Sequence, residues 1–129
     1  SETFFWDLDD ATRAWTKRFL ARNVGKPPSM IHAGTYGATL HYLKAVAAAG
    51  TTDATKVVAK MKELPIDDFY TKGTVREDGR VMRPYYLLQV KKPSESRYPF
   101  DYLKLLATVP AEEAARPLSE SACPMVKHG

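Results

Sequence analysis

The 129 residues hold a single cysteine, Cys123. One thiol closes no internal disulfide and builds no cysteine-based zinc site. Next to Pro124, with only Lys127 nearby as a cation, it also lacks the surroundings of a reactive thiolate. No run approaches the ~20 apolar residues that a membrane-spanning helix needs. No signal-peptide pattern occurs within these residues. G-x-S-x-G, a phosphate loop and a dinucleotide fingerprint are all missing. Catalysis therefore finds no support, and the chain is not expected to be an enzyme. Charge is present but ungathered: 19 Lys and Arg against 15 Asp and Glu give a net +4, spread along the chain. That is a solvated surface rather than a nucleic-acid footprint, and no nucleic-acid partner is expected.

What is present begins with aromatic surface. Phe4, Phe5 and Trp6 run into the acidic turn Asp7-Leu8-Asp9-Asp10, and a helix carrying Trp15 and Phe19 follows. Residues 3–8 read as the end of a strand. Asp9 or Asp10 is the expected helix cap, because its carboxylate accepts from the free amides of the first turn. Ala11, Ala14, Trp15 and Phe19 fall on one face at helical spacing. Asn23 and Gly25 supply a left-handed stop, and Pro27-Pro28 forbids continuation. So much aromatic surface at the very start, with nothing before it to cover it, leads us to expect a missing upstream part.

Ser29 is placed to cap a second, long helix whose inward positions are expected at Ala33, Tyr36, Leu40, Leu43 and Ala47, ending at Gly50. Gly34 and Gly37 each cost a helix up to ~1 kcal/mol against Ala. Close approach of a neighbouring element, or less readily of a ligand, is the expected compensation. Asp53 caps a third helix with Val57, Val58, Met61 and Leu64 inward, stopping at Pro65. From Lys72 the period changes to alternation. Asp78-Gly79 gives a type I′ hairpin signal, strands are expected at about 83–91 and 102–109, and a polar loop covers 93–99. Pro110 ends the last strand, a single helical turn over 111–115 follows, and the rest is an irregular tail.

Few residues carry chemistry. Asp7, Asp9 and Asp10 resemble a carboxylate cluster, yet a helix start demands such residues and no histidine stands at ligand spacing. His32 and His41 lie nine residues apart on one helix, too far along its axis at ~1.5 Å per residue to share a metal. No metal and no cofactor is expected. Phe5, Trp6 and Tyr36 sit at element ends, where aromatic side chains either line a cleft or complete a core.

Taken together these residues resemble the C-terminal part of a type I periplasmic solute-binding protein, in the branched-chain amino-acid (Leu/Ile/Val) receptor group of ABC transporters. The resemblance is carried by Phe4-Phe5-Trp6-Asp7-Leu8 with Thr12-Arg13-Ala14-Trp15 and Arg18-Phe19, and by Ala33-Gly34-Thr35-Tyr36 with Leu43-Lys44-Ala45-Val46. It continues through Asp53 to Met61, Val75 to Arg80, and Tyr86 to Lys91, covering nearly the whole chain. The order of elements tells as much as any one motif.

The resemblance implies an α/β fold, here a fragment of a two-lobed molecule: three helices followed by a β-hairpin and C-terminal strands. Residues 1–82, a crossover strand plus three helices, would belong to the N-terminal lobe, and residues 83–129 to the second. It implies a periplasmic location, with the signal peptide in the missing part. The partners would be a small ligand, such as a branched-chain amino acid or an aromatic or aliphatic carboxylate, and an inner-membrane ABC permease. The family's contact near the start of the long helix falls on Met30, Ile31 or His32, and its cleft-side strand end on Phe5 or Trp6; Tyr36 matches a helix tyrosine that serves packing or contact. A fragment of this kind should self-associate through exposed apolar faces. The rival readings are a ligand-sensing domain of the same fold in signalling, and a small stand-alone α+β module.

Overall fold

The computed structural model describes residues 1–22 and 25–126; Asn23 of the expected left-handed stop and the last three residues of the tail lie outside them. Helix α1 (Asp10–Leu20) starts at a reciprocal cap: the Thr12 N–H donates to Asp9 Oδ1 at 2.8 Å, and the Asp9 N–H donates to Thr12 Oγ1 at 3.0 Å. This satisfies two amides that the first turn leaves without partners. The same bonds let Thr12 be buried. The inward face of α1 is accordingly Thr12, Trp15 and Thr16, with Phe19 half-buried, whereas Ala11 and Ala14 are exposed. The helical period centred on Trp15 admits either set, and the rings packed against α1 lie on the threonine side.

Those rings form the core. Trp15 stacks on Phe69 with centroids 4.4 Å apart and planes within 9°. Phe4 meets Trp15, Phe69 and Tyr70 edge-on at 5.7, 6.0 and 5.5 Å. Edge-to-face and offset contacts of this kind exploit the ring quadrupole as well as burial.

Helix α2 (Met30–Ala49) is capped by Ser29 and closed by Gly50 at φ +64°. Its buried stripe is Ala33, Gly37, His41 and Ala45, one step round from the expected one; Leu43 is exposed, and Tyr36, partly exposed, rests its ring on Trp15. Small side chains let helix α3 (Ala54–Glu63) and the segment after it approach α2 closely. His41 Nε2 lies 2.8 Å from the Met61 carbonyl oxygen and links the two helices as a satisfied core histidine. Asp53 caps α3 through the Lys56 N–H at 3.0 Å, and Val57 is buried, but Val58 is 41% exposed rather than inward.

A small antiparallel sheet follows in the order β1 (Ile66–Asp67), β2 (Lys72–Val75), β3 (Val81–Met82). The β2–β3 turn differs from the expected type I′. Gly79 alone in it has positive φ, +83°, and its N–H donates to the Arg76 carbonyl at 2.8 Å. A two-residue type I′ loop needs positive φ at both central residues, so the chain uses a longer loop with glycine at the left-handed position. Arg76 grips Asp78 through Nε at 3.0 Å and Nη2 at 2.7 Å, holding the Asp78 carboxyl down at about 2.

The second sheet pairs β4 (Tyr85–Val90) with β5 (Leu103–Val109), close to the strands expected at 83–91 and 102–109. Leu87 faces Ala107 and Leu88 faces Leu105, so Leu106 is an extra residue and a bulge interrupts the expected alternation. Residues 3–8 do not form a strand. Glu2 alone bridges to Tyr86, through bonds of 3.0 and 2.8 Å, after which the Leu8 N–H closes a turn on the Phe5 carbonyl at 3.2 Å. Among the described residues no second chain segment runs alongside to continue a ladder. Beyond β5 a short helix, α4 (Ala111–Ala114), leads to a tail that returns towards the first part of the chain. Arg76 Nη1 donates to the Arg116 carbonyl at 3.0 Å, and Met125 shares a groove with Val58 of α3.

Candidate functional site

Three separate stretches meet at one groove of about 460 Å³. Trp6 comes from the turn that ends the aromatic run. Lys26, Pro27, Pro28 and Ser29 form the approach to α2, while Phe100, Tyr102 and Leu103 lie where the β4–β5 loop enters β5. The prolines fix φ at two positions of the approach. Phe5 packs against Trp6 with centroids 6.5 Å apart and supports it from the side. The volume falls in the range of small-molecule sites, which pair mostly apolar walls with a few placed polar groups. Among the described lining residues Lys26 is the one that carries a charge. Such a surface suits an apolar body carrying one negative charge.

The β4–β5 loop is held by its own charges. The Lys91 N–H donates to the Tyr102 carbonyl at 2.8 Å, closing the loop at its base. Inside it, the buried Asp101 carboxylate pairs with Lys91 Nζ and accepts the Arg97 N–H at 3.0 Å. The Lys91 ammonium first, and then the Arg97 amide, keep that carboxyl below the usual carboxylate range. Tyr98 donates its hydroxyl to Asp7, tying the loop to the segment that carries Trp6. The bond to a carboxylate, helped by some loss of solvent, pushes the Tyr98 phenol up to about 12. Asp7 is itself oriented by Arg13 at 3.1 Å.

The residues singled out in the sequence separate into groups. Trp6 lines the groove and Phe5 backs it. Met30 and Ile31 stand on the first turn of α2, directly after the lining Ser29, with Ile31 70% exposed. His32 turns back onto the cap: the Ser29 N–H donates to its Nδ1 at 3.1 Å, and its ring packs on Phe19 at 5.0 Å. Tyr36 packs edge-on against Trp15 and Phe69, at 5.5 and 5.6 Å, and borders a different groove with Arg18 and Arg22. Of the acidic residues before and at the start of α1, Asp9 is the cap; Asp10 stands 2.8 Å from Arg13, and Asp7 is held by Arg13 and Tyr98. Among the described residues no group of three or more His, Cys, Asp or Glu converges to hold a metal, and no helix is long and apolar enough to cross a membrane.

Sequence reasoning missed Lys26, Phe100, Tyr102 and Leu103 as lining residues and took Pro27-Pro28 only as a helix stop. The one available signal was two aromatics closing a polar loop, Phe100 and Tyr102, and alternation placed Tyr102 simply in a strand.

The family model described as periplasmic binding protein matches residues 1–96. The solved structure of a periplasmic binding protein from Burkholderia mallei is 46% identical to this chain, with a TM-score of 0.92 over 97% of it and 33% of that chain. A branched chain amino acid ABC transporter periplasmic ligand-binding protein from Burkholderia xenovorans LB400 is 47% identical, with a TM-score of 0.88 over 95% of this chain and 33% of that one. This chain thus spans about a third of the length of these relatives. No curated protein matches it.

Proposed function

The chain belongs to the periplasmic binding protein family, and from that premise we propose that it forms part of the substrate-binding component of an ABC transporter. It would work in the periplasm, capture a small amphipathic acid and deliver it to an inner-membrane permease, with no catalytic step. The observation that carries this reading is the lining of the groove: Trp6, Phe100, Tyr102 and two prolines around a lone lysine. The family resemblance leaves open a branched-chain amino acid or an aromatic or aliphatic carboxylate. The groove's charge favours the simple carboxylate, since Lys26 answers one anionic group and no acid among the described lining residues answers an α-ammonium.

In this reading Trp6 contacts the apolar body and Phe5 stiffens it. Met30 and Ile31 approach from the first turn of α2, where the helix dipole also favours an anion. His32 serves the cap, and Tyr36 serves the packing of α1 on α2. We assign residues 1–82 to the N-terminal lobe and 83–129 to the second. In support, the aromatic core of Phe4, Trp6, Trp15, Phe19, Phe69 and Tyr70 lies wholly before residue 83. The exposed apolar faces of α2 and of the β4–β5 hairpin support self-association of the 129-residue chain on its own.

The test is a calorimetric titration of the complete reading-frame product that carries this chain, with benzoate and with L-leucine. Saturable one-to-one binding is expected, tighter for benzoate. Failure of both probes to bind would overturn the reading.

A further inference from the structure

Among the described residues one non-glycine residue has positive φ: Phe100, at +67°. The other positive-φ positions are Gly25, Gly50 and Gly79. An L-residue there brings its Cβ against the neighbouring carbonyl, and for a bulky side chain such a conformation is rare. Glycine would make the same turn without that clash. Closing the loop therefore does not require a phenylalanine, and strain of this sort persists only where the surroundings over-determine it.

The surroundings do so from both sides. The Asp101 N–H donates to the Tyr98 carbonyl at 3.2 Å, and the Tyr102 N–H donates to the carbonyl of Phe100 itself at 2.9 Å. The Asp101 side chain is fixed by Lys91 and by the Arg97 amide. The strained residue lines the same groove as Trp6, and its ring meets Tyr102 edge-on at 6.0 Å.

We infer that Phe100 is a ligand-contacting, specificity-determining residue, held in left-handed backbone so that its ring forms a wall of the groove. The inference rests on the ligand-binding reading above and adds the β4–β5 loop to the site. The loop then sets how wide a planar body the groove admits, and the Tyr98–Asp7 bond fixes the loop's position relative to Trp6.

A Phe100→Gly change in the complete reading-frame product separates this role from packing. Relief of strain should raise the thermal midpoint by about 2 °C, while loss of the ring should weaken benzoate binding about tenfold. Phe100→Tyr, which keeps the ring, should bind benzoate within about threefold of the unsubstituted protein. A lowered midpoint in Phe100→Gly would show a packing residue and overturn the inference, as would unchanged benzoate affinity. If the unsubstituted protein bound neither benzoate nor L-leucine, the site itself would be overturned and this inference with it.

Discussion

Two glycines one turn apart on α2 meet opposite surroundings. A Cβ added to Gly34 would find nothing within 4 Å. A Cβ on Gly37 would sit 2.8 Å from Asp68 Oδ2 and 3.5 Å from the Tyr70 ring. Asp68 is not free to give way, because its other oxygen accepts the N–H groups of Tyr70 at 3.0 Å and Thr71 at 2.6 Å. We therefore expect Gly37→Ala to destabilise the fold by about 1–3 kcal/mol and Gly34→Ala to stabilise it by up to ~1 kcal/mol. Denaturant midpoints of the two variants should move in opposite directions, and a loss of similar size in both would contradict this packing. The sequence marks both glycines as places of close approach. It does not choose between them, because the choice depends on where the segment after α3 lies, and that is a tertiary fact.

At the scale of elements, the helix starts and the stops of α2 and α3 are local and were legible, whereas α1 ends at Leu20 with Ala21 in right-handed backbone, short of the expected stop. Asp9, Ser29 and Asp53 cap the three long helices, and Pro65 follows the end of α3. The inward faces were legible only in part: Trp15 and Phe19 of α1 and Val57 and Met61 of α3 turn inward as expected, whereas Ala11, Ala14 and Val58 do not. On α2 a run of Ala, Gly, Leu and Tyr fits more than one inward face, and the structure buries the stripe of small residues plus His41. The outer face then keeps Ile31, Tyr42 and Leu43 exposed at 70%, 43% and 55%. The hairpin likewise leaves Leu87, Val90 and Leu106 exposed, on a two-stranded sheet whose outer edges, among the described residues, are covered only by the Glu2–Tyr86 bridge. The 129-residue chain alone should accordingly self-associate at micromolar concentration in sedimentation velocity, and Leu106→Lys should reduce the associated fraction. A monomer across the whole concentration range would contradict this. Phe100 escaped the sequence altogether, since nothing in Pro99-Phe100-Asp101 announces a left-handed residue where glycine is expected.

At the scale of the whole molecule, the groove is built from Trp6, from Lys26 to Ser29, and from Phe100 to Leu103. Each stretch has a modest local meaning: a turn, a helix stop, a strand entry. Their convergence depends on the Glu2–Tyr86 bridge and the Asp7–Tyr98 bond, which draw the hairpin onto the start of the chain. Family membership was legible because the order of elements survives in the sequence, whereas a groove assembled from distant segments was not. Joining an aromatic-walled pocket to one cation is what retention of a small organic anion asks of a protein surface. The most direct measurement is uptake of radiolabelled benzoate and L-leucine at limiting concentration by cells that carry the gene, by a deletion strain, and by that strain complemented with the intact gene or with Trp6→Ala. The import reading predicts that deletion lowers uptake of at least one probe, benzoate foremost, and that the intact gene restores it while Trp6→Ala does not. Unchanged uptake of both probes after deletion would contradict it.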